Sequence, residues 1–480
     1  MVYCGKHSRG CWNCRRKKKK CDGQRPSCER CIRSNTDCLG YREDLSLLFR
    51  DQTEETIQKL RRRKSHNESS PTRKEDSILG AQVLPTLEAS YRDQAICYFF
   101  TNYVISSASG SRGQFAFLPS MYLGANDQDA VIQAVTSVGL AGLAYRRGAP
   151  ELLMKARRTY GRTLHLTSLS LECPERATED QTLATTILLA LYETINCTTP
   201  SALQSWDRHL WGALRLLELR GESQLGHQTG MELFSHLRGH VVTSCLRRNV
   251  ALPKPFVEWP IEQKGQIECQ TPVTALAAII GRFCLIRRGS TSSIRSLLDI
   301  RNELIEWAEA LPPAYDCTRL PSESCKEYPL RYRLIYSDFS IASLWNGYRC
   351  ILILVNELIL DHAQYRDQSS PARSLSTWSS QQKLAEDWMA MSISDICATV
   401  PFCLGSDTST GSGDVAPLGG VSAGVCSTLT WPLYLAASVT RSWEQREWIV
   451  KQLDNFGRLV GDRQACLFAE VLRAGGDLTR

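Results

Sequence analysis

Six cysteines within the first forty residues constrain this chain more than any other feature in it. Cys11, Cys14, Cys21, Cys28, Cys31 and Cys38 are separated by two, six, six, two and six residues, so the segment reads as two related loops in tandem, each a Cys-x-x-Cys pair followed by a third cysteine. Two separate tetrahedral zinc ions would need about eight thiolates, and six are present. The arithmetic closes if two thiolates bridge, which leaves neither ion an open position. A closed, all-sulfur site is structural rather than catalytic.

Other readings of these cysteines fit less well. A disulfide framework needs an oxidising compartment, and no apolar signal segment precedes Cys4. A redox Cys-x-x-Cys belongs beside a strand–helix unit, whereas these pairs lie in a short basic segment. Iron–sulfur clusters also take thiolates, but at different spacings.

Between Cys14 and Cys21 run Arg15, Arg16, Lys17, Lys18, Lys19 and Lys20 without interruption; Asp22-Gly23 then turns the chain, and Pro26 sits in the loop joining the halves. Read blandly, the run is solvated charge or part of a nuclear-import signal. Read sharply, it is a short helix that starts after Cys14 and presents lysines to a DNA groove. Two metal sites would fix such a helix in place of a hydrophobic core, scaffolding that a disordered import signal does not need. Lysine donates to guanine O6 and N7 in the major groove, and the remaining cations neutralise phosphates.

In spacing, in its basic run and in the positions of Asp22 and Pro26, the segment resembles the fungal binuclear zinc-cluster transcription factors. The resemblance implies two Zn(2+) per chain. Cys11 and Cys28 would bridge, Cys14 and Cys21 complete one site, and Cys31 and Cys38 complete the other. It also implies that Lys18, with Lys17 beside it, reads bases, that Arg15, Lys20 and Arg25 contact phosphates, and that the half-site is a CGG-like triplet.

The charge distribution agrees with a polyanion partner for the head alone. Residues 1–74 hold 20 Lys and Arg against 9 Asp and Glu, while the remainder of the 480-residue chain holds 37 against 41. Thirteen further cysteines, scattered from Cys97 to Cys466, show neither pairing nor metal spacing and are expected to be buried free thiols. No apolar run reaches about 18 residues, so no membrane span is expected.

Three parts are expected: a zinc-cluster DNA-binding module over residues 1–40, a linker with a short helix and a basic cluster over 41–76, and a regulatory body over 77–480. Leu45, Leu48, Phe49, Thr56 and Leu60 fall near one helical face, but Gln52, Glu55 and Lys59 interrupt any coiled-coil seam. Docking of this segment on the chain's own body is therefore favoured over dimerisation. Arg61, Arg62, Arg63 and Lys64 form a second basic cluster.

The body reads as all-α, making the fold class mainly α. Candidate helices cover 91–107, 130–147, 151–168, 180–196, 205–220, 231–248, 293–311, 332–360, 383–400 and 443–472, many bounded by capping residues. Short connections predict stacked antiparallel pairs. Residues 371–380 and 405–424 read as loops. The stretch 40–250 is similar to the helical regulatory domain that accompanies the fungal zinc cluster, on pieces such as Phe99-Phe100-Thr101-Asn102-Tyr103, Leu189-Ala190-Leu191-Tyr192-Glu193 and Trp211-Gly212-Ala213 in collinear order.

The body carries no P-loop, dinucleotide-binding or His-Glu-x-x-His motif. His236 and His240 share a helical face with His227 nearby, but with no acidic or Cys ligand at a matching spacing they read as ordinary histidines. Most of the tryptophans read as core packing. The leading expectation is a non-enzymatic, nuclear, zinc-dependent, sequence-specific DNA-binding regulator of RNA polymerase II transcription. Its partners would be double-stranded DNA and the transcription machinery, with a homodimer or heterodimer left open. The rival is a helical ligand-binding or scaffold protein whose zinc module only stabilises the head; RNA binding is disfavoured because the head offers few stacking aromatics.

Overall fold

The computed structural model describes residues 11–24, 26–40, 90–105, 114–126, 128–259, 271–289, 293–321, 331–369, 375–405 and 422–476. The expected helical face at 45–60, the basic cluster at 61–64 and Arg25 lie outside these residues. The chain divides into two units, Met1–Thr86 and Leu87–Arg480.

Among the described residues the first unit holds two short helices, α1 (Trp12–Arg16) and α2 (Glu29–Arg33). Its core is the cysteine set itself: Cys11, Cys14, Cys28 and Cys31 are buried, with Cys21 and Cys38 packed against them.

Among the described residues the second unit is helical apart from one two-stranded ribbon. In order it runs α3 (Tyr91–Tyr103), α4 (Leu118–Leu123), α5 (Ala130–Arg147), α6 (Pro150–Leu171), α7 (Pro174–Ala177), α8 (Asp180–Ile195), α9 (Ala202–Arg220), α10 (Gln228–Arg248), α11 (Pro255–Glu258), α12 (Pro272–Arg288) and α13 (Ile294–Glu309). Strands β1 (Cys317–Pro321) and β2 (Tyr332–Tyr336) follow, then α14 (Phe339–Ser369), α15 (Leu375–Cys403), α16 (Ala423–Val439), α17 (Trp443–Val460) and α18 (Arg463–Arg473). Sequence-adjacent helices pack as pairs, α5 with α6, α8 with α9, α14 with α15 and α17 with α18.

Helices α5, α8 and α16 are buried on nearly every face and form the centre, as near-continuous apolar sequence requires. The C-terminal helices return to the N-terminal ones. Ser422 donates to the Asn102 carbonyl at 2.7 Å, and the Tyr98 hydroxyl reaches the Val460 carbonyl at 3.5 Å. Helix α5 crosses α3 so closely that a Cβ on Gly139 would lie 2.0 Å from the Ala95 carbonyl oxygen.

The mainly α expectation holds, with differences at particular places. The expected helix 332–360 begins only at Phe339. Residues Tyr332–Tyr336 instead pair antiparallel with Cys317–Pro321, Cys317 opposite Tyr336. Asp338 starts the helix by accepting from the Ser340 and Ile341 N–H groups at 2.7 and 3.0 Å. The ribbon is tied down by Asp395 on α15, which accepts from the Tyr332 hydroxyl at 2.5 Å and from Arg319 at 3.1 Å. Buried Arg349 on α14 donates to the Tyr336 hydroxyl at 2.7 Å.

The expected helix 443–472 is two helices. Gly461 takes φ 77° and ends α17, and the Asp462 carboxylate accepts from the Ala465 N–H at 3.1 Å to cap α18. Helices α4, α7, α11, α12 and α16 lie outside the expected ranges, and α15 begins at Leu375 inside a stretch expected to be loop. Cys197, Cys245, Cys284, Cys350, Cys397, Cys403 and Cys426 are buried free thiols as expected, whereas Cys97 is exposed. Trp206, Trp307 and Trp431 are core residues; Trp443 is 71% exposed.

Candidate metal centre and nucleic-acid interface

The head is an internal repeat with an offset of 17 residues, the separation of Cys11 and Cys28. Each half begins with a cysteine whose Sγ accepts the backbone N–H three residues on: Cys14 to Cys11 at 3.5 Å, and Cys31 to Cys28 at 3.4 Å. A one-and-a-half-turn helix follows and is closed by a left-handed residue, Lys18 at φ 51° and Asn35 at φ 44°. The next N–H then reaches back to a cysteine carbonyl, Lys19 to Cys14 at 2.8 Å and Thr36 to Cys31 at 3.0 Å. This is the Schellman closure, used twice.

Two further contacts fix the halves against one another. The Asp22 carboxylate accepts from the Glu29 N–H at 3.1 Å at the start of α2. The Asn13 side-chain amide, buried, donates to the Asp37 carbonyl at 2.6 Å.

The six sulfurs fall into two overlapping sets of four. Cys11, Cys14, Cys21 and Cys28 form one, Cys11, Cys28, Cys31 and Cys38 the other, with all ligand atoms of a set within 4.8 Å of one another. Cys11 and Cys28 belong to both. The Cys11–Cys28, Cys14–Cys28 and Cys11–Cys31 sulfurs are 3.7, 3.7 and 3.8 Å apart. Those separations are far too long for disulfides. They match the edge of a tetrahedron built on a Zn–S bond of about 2.3 Å, which is about 3.8 Å. The donor set therefore fits two tetrahedral zinc ions without rearrangement.

The thiols alone resist joint ionisation. Burial pushes Cys11 up against the opposing Cys14 N–H and thiol, and burial with neighbouring thiols adding to it pushes Cys14 up. The Cys28 thiol, then burial, pushes Cys31 up to about 12. At Cys21 burial also opposes the charge, but the backbone N–H groups of Cys11 and Gly23 outweigh it and hold the thiol at about 7. A divalent cation supplies the compensation this cluster lacks.

The basic run is placed differently from the expectation. The helix begins at Trp12, before Cys14, and ends at Arg16, so it carries only Arg15 and Arg16 of the six cations. Lys17 and Lys18 form the turn that closes it, and Lys19 and Lys20 follow outside regular structure; all four lysines are exposed. Lys18 thus stands at the apex of a fixed turn rather than on a helical face. Arg30 and Lys19 were not singled out from sequence. Arg30 stands where the first half has the uncharged Asn13, so the offset of 17 carried no signal for it.

In the body, His236 and His240 lie with ring centres 4.9 Å apart, and Phe115 packs 4.2 Å from His236. Burial drives His236 well below the usual histidine range and His240 to about 4, so both half-buried rings are neutral. His227 lies instead beside Asp180, at 3.8 Å. An open polar groove of about 480 Å³ is lined by Leu360, Ser379, Lys383, Glu386, Asp387 and Arg441, with no tryptophan. No helix among the described residues is long and apolar enough to cross a membrane.

Comparison with known proteins agrees with this geometry. Residues 9–47 match the fungal Zn(2)-Cys(6) binuclear cluster domain. A segment of 32 residues is 56% identical to the arginine metabolism regulation protein II of Saccharomyces cerevisiae, covering 7% of this chain and 4% of that protein. An uncharacterised protein of Emericella nidulans is 26% identical over 229 residues, 45% of this chain and 47% of the relative. The chain thus spans less than half the length of either relative. No solved structure matches.

Proposed function

Since the head of this chain is a fungal Zn(2)-Cys(6) binuclear cluster domain, we propose that the chain is a zinc-dependent, sequence-specific DNA-binding regulator of RNA polymerase II transcription, acting in the nucleus. Cys11 and Cys28 would bridge two zinc ions, with Cys14 and Cys21 completing one site and Cys31 and Cys38 the other. The metal supplies structure and charge compensation rather than reactivity. The observation that carries the reading is the sharing of Cys11 and Cys28 by both sulfur sets. That sharing locks the two halves together and holds a turn of exposed lysines rigid.

Lys18, with Lys17 beside it, is assigned to base edges of a CGG-like triplet, and Arg15, Lys20 and Arg25 to backbone phosphates. Phosphate contacts supply salt-dependent affinity, and the few base contacts supply choice. One module of this size buries little surface, so two half-sites or a partner are needed for useful specificity. The division into a head over 1–40, a linker over 41–76 and a regulatory body over 77–480 belongs to the same proposal.

The test is a random-sequence DNA selection with the zinc-loaded full-length chain. A CGG-like triplet that disappears on chelation supports the regulator. No enrichment with zinc confirmed bound would leave the head as a structural module and favour the scaffold reading.

A further inference from the structure

A concave site of about 30 Å³ opens between the closing turns of α1 and α2. Its lining consists of four pairs related by the internal offset: Asn13 with Arg30, Cys14 with Cys31, Lys17 with Ser34, and Lys19 with Thr36. A chance dimple would not be lined by complete pairs, so the cleft follows from the repeat itself, each half contributing the same positions.

The shape repeats but the chemistry does not. Lys17, Lys19 and Arg30 contribute three cations, while Ser34 and Thr36 contribute hydroxyls. The neighbouring acid Glu29 is committed to Arg33 at 2.7 Å. Among the described residues none of Lys17, Lys19 and Arg30 has an ion-pair partner. The floor is rigid, because the Asn13 amide is held by the Asp37 carbonyl and Cys14 and Cys31 belong to the sulfur cluster. A site so small and so cationic accepts the edge of one oxyanion, not a base or a sugar.

We propose that this cleft holds a single phosphate of the DNA backbone, gripped by Arg30 from the second half and Lys19 from the first. The inference rests on the DNA-binding reading and adds to it. The second half, which carries no basic run, would then help set the register in which Lys18 meets the bases.

The test uses the zinc-loaded full-length chain, with anisotropy measured on the selected duplex and on an unrelated one between about 50 and 200 mM salt. R30Q and K19Q are expected to weaken both duplexes alike, each lowering the slope of log affinity against log salt by about 0.9. Over that range each variant then loses about 3.5-fold less affinity than the wild type. R30K should retain the slope. A methylphosphonate scan should find one position that weakens the wild type but no longer affects R30Q. An unchanged slope in R30Q with both zinc ions retained overturns the proposal. So does a loss confined to the selected duplex, which would make Arg30 a base reader. If the wild type binds no duplex, the DNA reading fails by itself. Inorganic phosphate, followed by phosphorus NMR, then separates the two: saturable binding lost in R30Q keeps an oxyanion site with a free-phosphate source, and no binding removes it.

Discussion

Lys18 and Asn35 occupy the same position in the two halves of the head, each in the left-handed conformation that closes a short helix, at φ 51° and 44°. Asparagine is at home there, because its side chain tolerates the left-handed region; lysine is not. The first half therefore accepts a strained residue where the second half does not, and the strained residue is a cation at the apex of the turn. Strain at one member of a repeated pair is the pattern expected of a functional position.

This separates reading from folding. Lys18→Ala keeps the strain and removes the ammonium, while Lys18→Gly removes both and relieves about 1 kcal/mol. Both variants are expected to retain two zinc ions and to lose about tenfold in discrimination between the preferred triplet and a single-base change. Only Lys18→Gly should resist chelator better than the wild type. Parallel binding selections and chelator titrations check this, and undiminished discrimination in either variant would move base reading elsewhere.

Cys14 contributes to one sulfur set, whereas Cys11 contributes to both. Cys14→Ala is expected to lose one zinc ion and to disrupt the fold of the head, since no other core forms among its described residues. Zinc content and the circular dichroism of the head report this. Cys11→Ala should be more severe, losing both ions. Equal zinc retention in the two variants would contradict the shared-ligand arrangement.

How much of this was legible in advance depended on whether the signal was local. Cysteine spacing is local, and the sulfur sets follow it closely. The helix bounds at Ala130–Arg147 were readable because Gly148 and the flanking Asp129 mark them. The ribbon was not, because Tyr332–Tyr336 is apolar enough to extend a helix and is held extended by distant groups, Asp395 and Arg349. Helix α12 carried its signal unnoticed, Thr271 capping Thr274 with Pro272 at the first position. In the head, the length of α1 was misjudged because a left-handed lysine is not something a basic run announces.

Glycines in the body separate a packing requirement from a propensity cost. Gly139→Ala would drive a Cβ to 2.0 Å from the Ala95 carbonyl, which cannot yield without moving α3. A loss of about 1–3 kcal/mol or more is expected. Gly161, within α6, has nothing within 4 Å of the same position. Gly161→Ala should therefore stabilise by about 0.5–1 kcal/mol. Urea unfolding of the two variants gives opposite shifts in midpoint; shifts of the same sign would mean the α3–α5 crossing is looser than described.

Three histidines give the body an acid sensitivity of definite sign. Burial lowers His209 and His240 to about 4, and lowers His236 further, with His240 adding to the effect there. Unfolded, each would titrate near 6.5. Between about 6.5 and 4 the unfolded chain therefore binds protons that the folded chain refuses, and stability falls as pH falls. Below that window His209 and His240 protonate in the fold as well, and their part of the slope ends. The midpoint of urea unfolding, followed by tryptophan fluorescence from pH 7 to 4, should decline across this window. Tyr160 gives its hydroxyl proton to the Glu193 carboxylate, so the His209 ring N–H donates to that hydroxyl at 2.9 Å, and replacing His209 would confuse charge with a lost hydrogen bond. His240→Phe is the cleaner variant and should flatten the decline; a slope identical to the wild type would show that His240 is solvated in the folded chain.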